Sequence, residues 1–186
     1  PVFTNTSTTG FGVGVPYYWR MSHDKDLTFT PKTYNNENIL YLNEYRQAFR
    51  NGFLTLDTSY HKGYKETTSK KTTGSRNHIF AQLDFDFSKI DSYESSLQFK
   101  TQRTSNDNYL KVHDINTSLV DSENTNLENE ISYNFSKDDM FINVSAAAYE
   151  NLNEKTNDRY EFITPNILYG KTFFTERFGT VDFKSN

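Results

Sequence analysis

Regular alternation of apolar and polar residues is the feature that most limits what this chain can fold into. The odd positions from Ile79 to Phe87 are apolar, and the even positions from Gln82 to Ser88 are polar. The same two-residue period returns over residues 93–103 and 126–136, whereas helical periodicity is almost absent. Successive side chains of a strand point to opposite faces, so this pattern predicts β-strands with one apolar and one polar face.

The pattern divides the chain into eleven candidate strands. Most are about 9–12 residues long. A tilted strand that crosses a bilayer needs about 9–11 residues, whereas strands of globular proteins usually have about 5–6. We expect an all-β antiparallel meander forming part of a transmembrane β-barrel, a single domain over residues 1–186. The candidate strands are residues 1–6, 11–20, 26–34, 38–48, 53–62, 77–88, 93–103, 126–136, 140–150, 159–169 and 178–184.

The connections between these strands alternate in length. Those at 21–25, 50–52, 89–92 and 137–139 are short, and those at 63–76, 104–125 and 151–158 are long. Outer-membrane barrels combine short periplasmic turns with long external loops. The connection at 34–37 is a short exception on the long-loop side.

Composition agrees with a two-faced sheet and excludes several classes of protein. Only 34% of the residues are hydrophobic, yet 16% are aromatic, which argues against disorder. The formal charge of −4 does not favour a nucleic-acid partner, and the lack of cysteine excludes disulfides and thiolate metal sites. No apolar run is long enough for a membrane helix and no signal peptide is visible. Because the chain starts at Pro1 without Met, we expect it to be a piece of a longer protein.

No motif predicts a catalytic residue, a metal site or a cofactor. The four histidines lack zinc-ligand spacing and are interpreted as surface or turn residues: His23, His61, His78 and His113. Glycines at 10, 12 and 14 do not have dinucleotide-loop spacing, and the acidic stretch 121–126 lacks the glycine of a calcium loop. The basic loop 62–76 is interpreted as solvated, with contact to anionic phosphate as a weaker alternative.

The polar faces of the middle strands are predicted to line a wet lumen. Carboxylates two residues apart can serve acid–base chemistry, but alternation on a solvated face accounts for them without catalysis. The predicted lumen-facing residues are Asp84, Asp86, Gln98, Lys100, Glu128 and Glu130.

Prolines mark weak points in the predicted sheet. Pro16, Pro31 and Pro165 fall inside candidate strands, where proline cannot donate a ladder hydrogen bond. Pro1 and Pro16 would weaken pairing near the N-terminal edge, where a barrel is closed or opened.

The N-terminal third resembles the start of the barrel in the LptD family of lipopolysaccharide assembly proteins, also called organic solvent tolerance proteins. The likeness is specific over about the first sixty residues and is only a pattern afterwards, with Thr164-Pro165-Asn166-Ile167 as a weaker echo. The motifs that carry it are Val15-Pro16-Tyr17-Tyr18-Trp19, Asp26-Leu27-Thr28-Phe29-Thr30-Pro31, Asn43-Glu44-Tyr45-Arg46, Gly52 and Leu56-Asp57.

This resemblance implies a function that composition alone does not. Family members form a large barrel in the bacterial outer membrane whose first and last strands pair poorly, and prolines in the first two strands mark the gate. Pro1 and Pro16 lie at the matching positions, so the resemblance implies a lateral gate at these two residues. Lipopolysaccharide enters from a periplasmic domain fed by a protein bridge and leaves through the seam, while the lipoprotein LptE plugs the barrel. We therefore expect a passive conduit and lateral gate rather than an enzyme, with lipopolysaccharide, membrane lipids and an LptE-like plug as partners.

The chain departs from the family pattern in ways that fit a fragment. The periplasmic domain and the family's disulfide cysteines are missing, and about eleven strands are too few for that barrel. The sequence also ends without a terminal aromatic residue. A porin-like or receptor barrel in the outer membrane, or a soluble all-β adhesin or binding module, remain the alternatives.

Overall fold

The computed structural model describes residues 1–63, 74–88, 92–176 and 179–185, without the side chains of Asn157 and Thr175. The chain forms one antiparallel sheet of twelve strands, with a short helix and a 3₁₀ turn in its connections. The strands are β1 (Val2–Thr6), β2 (Gly10–Gly14), β3 (Tyr17–Arg20), β4 (Lys25–Tyr34), β5 (Leu40–Phe49), β6 (Gly52–Lys62), β7 (Ser75–Asp86), β8 (Glu94–Thr104), β9 (Asn126–Lys137), β10 (Met140–Asn151), β11 (Tyr160–Thr175) and β12 (Gly179–Ser185). The helices are α1 (Tyr109–His113) and the 3₁₀ turn Asn157–Arg159.

The sheet is an open meander, as the alternation predicts. Each strand pairs with its neighbours in the chain, except that β2 and β3 both pair with β4 instead of with each other, and β1 and β12 lie at the two ends of the path. The all-β antiparallel architecture predicted from the sequence is confirmed, and the sheet is not closed on itself. Among the described residues, no helix has the length and apolar character that crossing a membrane requires.

The predicted strand 11–20 is two strands rather than one. β2 ends at Gly14 and β3 begins at Tyr17, so the chain leaves the ladder at Val15 and Pro16. The interruption has a physical cause at Pro31: the Val15 N–H donates to the Pro31 carbonyl, but Pro31 has no N–H to complete the second bond of that pair. β2 and β3 both pair with β4, through three and four residue pairs respectively, and Pro31 of β4 lies opposite the gap.

Pro165 is accommodated in a different way. Ser145 pairs with Asn166 and Ala147 with Ile163, so two residues of β11 lie opposite Ala146 alone. Thr164 and Pro165 therefore form a β-bulge, one of the places where a strand tolerates proline.

The register gives the sheet two unlike faces. One, the polar face, carries Asp84 opposite Gln98 and Lys100 opposite Glu130. The other, the apolar face, carries Ile79 and Ile131, each 49% exposed. Large apolar side chains that remain exposed in a row are typical of a surface covered by lipid or another protein.

The connections are sorted by length, as the sequence predicts. The turns after β3, β5 and β9 lie at one end of the meander and are short; residues 89–91, within the predicted turn 89–92, lie outside the described part of the chain. At the other end lie the connections after β6, β8 and β10. Residues 64–73 of the basic loop also lie outside the part of the chain that the structure describes. We call this second end the long-loop end.

Buried apolar residues gather at the long-loop end. The connection 105–125, here called the cap loop, contains α1 and packs Tyr109, Leu110, Ile115 and Val120 into a single cluster. Residues of four strands, including Tyr34, Leu40 and Phe80 of the polar face, complete that cluster together with Leu152 just after β10. The cap loop thus covers one part of the polar face and leaves another part open.

A glycine at the start of β6 tests the register between β6 and β7. A Cβ at Gly52 would lie 2.5 Å from the backbone oxygen of Asp84, which cannot move without shifting β7. We expect Gly52→Ala to lower the free energy of unfolding by about 1–3 kcal/mol because of this overpacking. The measurement is the urea midpoint of the full protein in detergent micelles.

Gly74→Ala is the matched control, since nothing lies within 4 Å of the Cβ built there. Equal midpoints for the two variants would contradict the close approach of β6 and β7.

Candidate functional site

The open part of the polar face holds all six residues predicted to line a lumen. Register places Asp84 opposite Gln98, Asp86 opposite Ser96, and Lys100 opposite Glu130. Glu128 lies on the same face, two residues before Glu130, and forms an ion pair with Lys100. We call this set, which is Asp84, Asp86, Gln98, Lys100, Glu128 and Glu130, the acidic strip. Its assignment to a lumen stays a prediction.

Hydrogen bonds between side chains hold the acidic strip in place. Gln82 donates to the Asp84 carboxylate at 2.9 Å. The Tyr149 hydroxyl on β10 donates to Glu130 at 2.6 Å. The strip nevertheless carries four carboxylates against one lysine, so its charge is negative. Such a surface is hydrated, repels anions and offers acceptors to hydroxyl groups.

The covered part of the polar face holds a buried chain of polar groups. The Nδ1 atom of His78 lies 2.6 Å from the Ser59 hydroxyl, and its Nε2 atom lies 2.7 Å from the Asp57 carboxylate. The Tyr109 hydroxyl of the cap loop lies 2.8 Å from the same serine oxygen. All four side chains are buried, so the cap loop closes over the polar face through hydrogen bonds as well as apolar contacts.

Ser59, His78 and Asp57 are the residue types of a hydrolytic triad, but their arrangement does not suit hydrolysis. A serine nucleophile must reach a substrate carbonyl, with a base on one side and donors for an oxyanion nearby. Ser59 is 4% exposed and is covered by Tyr109. The simpler account is structural, because buried polar groups need partners and these supply one another.

The interpretation of the histidines as surface or turn residues is wrong for three of the four. His61, His78 and His113 are each 0% exposed, and only His23 lies in an exposed turn. Because His61 and His78 alternate with apolar-face residues, their parity already placed them on the polar face. What the sequence did not show is that a loop would cover that face. Among the described residues, no three histidines or carboxylates converge as a metal site.

His113 is the residue through which the cap loop meets β4 and β6. Its ring lies 4.6 Å from that of His61, centroid to centroid, and the Lys32 ammonium donates to its backbone oxygen at 2.8 Å. Neither ring nitrogen of His113 has a hydrogen-bond partner among the described residues. Burial, together with the charges of His61 and Lys32, lowers the pKa of His113 to about 3.

A second attachment joins the cap loop to the connection after β10. Arg159 donates from Nη2 to Asp107 at 2.7 Å and to Glu150 at 2.6 Å, and from Nε to Glu150 at 2.9 Å. These bonds raise the pKa of Arg159 and lower that of Asp107. Charge-assisted bonds that are partly shielded from water stabilise more than an exposed pair does.

The residues predicted to form a gate lie at the N-terminal edge of the sheet. Pro16 lies between β2 and β3, and the Val15 N–H donates to the carbonyl of Pro31 at 3.2 Å across the gap. Pro1 precedes β1, which begins at Val2. The structure thus places Pro16 at an interruption of the ladder, whereas a gate function for either proline stays a prediction.

Comparison with known proteins gives one consistent result. No family model matches the chain. The LPS-assembly protein LptD of Shewanella frigidimarina is 23% identical over the whole chain, and that of Nitrosomonas europaea is 29% identical over 68% of it. The LptD of Shewanella oneidensis is 38% identical over 31% of the chain.

The chain is similar to LPS-assembly proteins. It spans only 23%, 16% and 8% of the length of these three relatives, so the activity of a whole LPS-assembly protein is not carried over with the likeness.

The pKa of His113 predicts that docking of the cap loop depends on pH. A pKa lowered from 6.5 to about 3 means that the undocked loop binds the proton more tightly, so docking weakens as pH falls below 6.5 and the loss ends near 3. We expect hydrogen-exchange protection of residues 109–113, corrected for intrinsic rates, to fall on the order of a hundredfold between pH 7 and pH 4.

His113→Leu is the control, because leucine is similar in volume and does not titrate. Protection that falls equally in both proteins would assign the pH dependence to other groups.

The Arg159 bonds predict a separate contribution to the same docking. Arg159→Ala should speed exchange in residues 109–113 by roughly tenfold, as expected when partly shielded charge-assisted bonds are lost. Lys111→Ala is the matched control, because the Lys111–Glu123 pair is exposed. If the two variants exchange alike, Arg159 does not hold the loop.

Proposed function

We propose that this chain forms part of the wall of a bacterial outer-membrane β-barrel that serves lipopolysaccharide assembly as a passive conduit and lateral gate. The observation that carries the proposal is the meander with two unlike faces, in a chain similar to proteins named for lipopolysaccharide assembly. We propose no enzymatic step, because the serine, histidine and aspartate that come together are buried and bonded to one another.

The two faces suit the two halves of a lipopolysaccharide. Acyl chains need an apolar surround, and the exposed side chains of the apolar face offer one together with membrane lipids. The saccharide needs water and hydrogen-bond partners, which the acidic strip supplies. Because the strip is negatively charged, it repels phosphate groups and accepts bonds from hydroxyls, so the cargo passes without being trapped.

The gate follows from the weak ladder around Pro16. β2 and β3 together share only seven residue pairs with β4, and the gap between them lies opposite Pro31. Each ladder hydrogen bond contributes about 0.5–1.5 kcal/mol net, so a missing bond lowers the cost of parting the strands there. An LptE-like plug lipoprotein and a periplasmic bridge are further partners that we expect for the full protein.

Photo-crosslinking in living cells tests the conduit. A photoreactive residue is placed in the full protein at Asp84, Glu130 or Pro16, with Phe85 of the apolar face as control. We expect adducts with lipopolysaccharide at the first three positions in excess of those at Phe85, because a saccharide that crosses the barrel meets the acidic strip and the gate. Adducts at none of the three, in cells that still export lipopolysaccharide, would favour a porin-like barrel.

Restoring the missing N–H tests the gate. Pro31→Ala allows the pair Val15–Pro31 to exchange both ladder bonds, so we expect less newly made lipopolysaccharide at the cell surface, by roughly two- to tenfold for one ladder bond. Pro165→Ala in the bulge of β11 is the control, since it lies far along the sheet from β2. Unchanged surface lipopolysaccharide in Pro31→Ala would show that the gap beside Pro16 is not part of the gate.

A further inference from the structure

A cavity lies between the cap loop and the covered part of the polar face. Its volume is about 210 Å³, and it is bounded by β4, β5 and β6 on one side and by residues 114, 116 and 117 of the cap loop on the other. One water occupies roughly 30 Å³ in the liquid, so the cavity has room for a larger occupant than a single bridging water. Pro16 and Gly14 form part of its wall, which places it beside the proposed gate.

A buried acceptor in this wall lacks a donor. Asp57 is 1% exposed, and its Oδ1 atom accepts from His78 at 2.7 Å. Its Oδ2 atom has no hydrogen-bond partner among the described residues. Leaving a buried acceptor unsatisfied costs about 1–3 kcal/mol, and more for a charged group. Asp57 forms part of the cavity wall, so a donor that reached this oxygen from the cavity would remove that cost.

The rest of the wall defines what that donor can be. Glu44 and Asp114 add two more carboxylates, and the ammonium of Lys32 already donates to the backbone oxygens of His113 and Asp114. A phosphate or carboxylate would meet three carboxylates against the single ammonium of Lys32, so the wall as a whole repels it. Hydroxyl groups suit the site better, because they donate to carboxylates and can also bond Asn116 and Thr30.

The cavity also has an apolar side. Leu42 and Pro16 line it, opposite the carboxylates. A sugar ring combines these properties, since its hydroxyls are donors and its C–H face is apolar.

We propose that this cavity binds one uncharged or amino sugar unit and excludes phosphorylated ones. That the sugar comes from lipopolysaccharide at the gate rests on the proposed function. That the cavity binds a sugar does not depend on it. In this arrangement the cap loop and the strands beside Pro16 hold the same sugar ring, so a passing saccharide is oriented where the ladder is weakest.

Saturation-transfer NMR on the full protein in micelles of a sugar-free zwitterionic detergent tests the binding. The probes are methyl α-D-glucopyranoside and glucose 6-phosphate, each at millimolar concentration. We expect a signal from the glucoside at least severalfold stronger than that from the phosphate. No signal from the glucoside would overturn the proposal, and equal signals from both would overturn the exclusion of phosphate.

Two variants locate the bound sugar. Thr30→Tyr fills the cavity without changing its charge, and Asp57→Asn removes the charge of the unpartnered carboxylate with little change of shape. Both should abolish most of the glucoside signal. Thr58→Tyr on the apolar face and Asp139→Asn in the exposed turn after β9 are the matched controls and should keep it. A signal that survives in Thr30→Tyr would place the sugar elsewhere and overturn the proposal.

Crosslinking in cells separates this inference from the proposed function. Lipopolysaccharide adducts from a photoreactive residue at Asp84 but not at Thr30, without an NMR signal, would overturn the inference alone. Adducts at neither position in cells that export lipopolysaccharide would overturn the proposed function. A glucoside signal that Thr30→Tyr abolishes, together with that lack of adducts, would support the site and identify its ligand as a free sugar.

Discussion

The backbone ladder from β4 to β10 holds the other features of this structure in place. Along these strands the residues pair without a shift of register, although β8 and β9 pair only between Glu94–Ser136 and Lys100–Glu130, so side chains that alternate in the sequence alternate between two faces of one sheet. A slip of one residue in any strand would move its carboxylates to the apolar face and its aromatic rings to the polar face. The backbone pairing therefore determines the chemistry of both faces, although no side chain takes part in it.

The polar face is itself divided. Near β7 to β9 it is open and acidic, with Lys100 as the cation within the acidic strip. Near β4 to β6 it is closed by the cap loop, whose tyrosine and histidine join polar groups that would otherwise meet water. The same alternation thus supplies a wet surface in one region and a buried polar network in another, and the difference comes from what packs on top.

Sequence reasoning succeeded where the determining interactions are local. Alternation between positions 79 and 88 identifies β7 because each side chain's face follows from its own parity. The sequence predicts one strand over residues 11–20, but the ladder to β4 is interrupted at Val15 and Pro16. A proline in a strand can be tolerated, as Pro165 is in its bulge, and the sequence does not show which outcome applies.

The covered site could not be predicted in the same way. Lys32 contacts the backbone of His113, which is 81 residues away in the chain, and no pattern within either segment indicates the other. Histidines on a polar face are normally exposed to solvent, so the sequence alone predicts that His61 and His78 are exposed. The packing of the cap loop changes the surroundings of both histidines. Its helix has only about one and a half turns, which is too short for a sequence periodicity to reveal it.

The bulge at Thr164 and Pro165 has a consequence for how β11 can change over time. Ile167 and Phe162 are five residues apart, an odd spacing that would place them on opposite sides of a regular strand, yet they pair with Val144 and Ala148, which share one side. The extra residue acts as a phase correction that joins two halves of the strand with opposite parity. Losing one residue there would turn one half of β11 inside out, whereas the same loss in a turn would only shorten a connection. The length of this strand is therefore under tighter constraint than the identity of most of its residues.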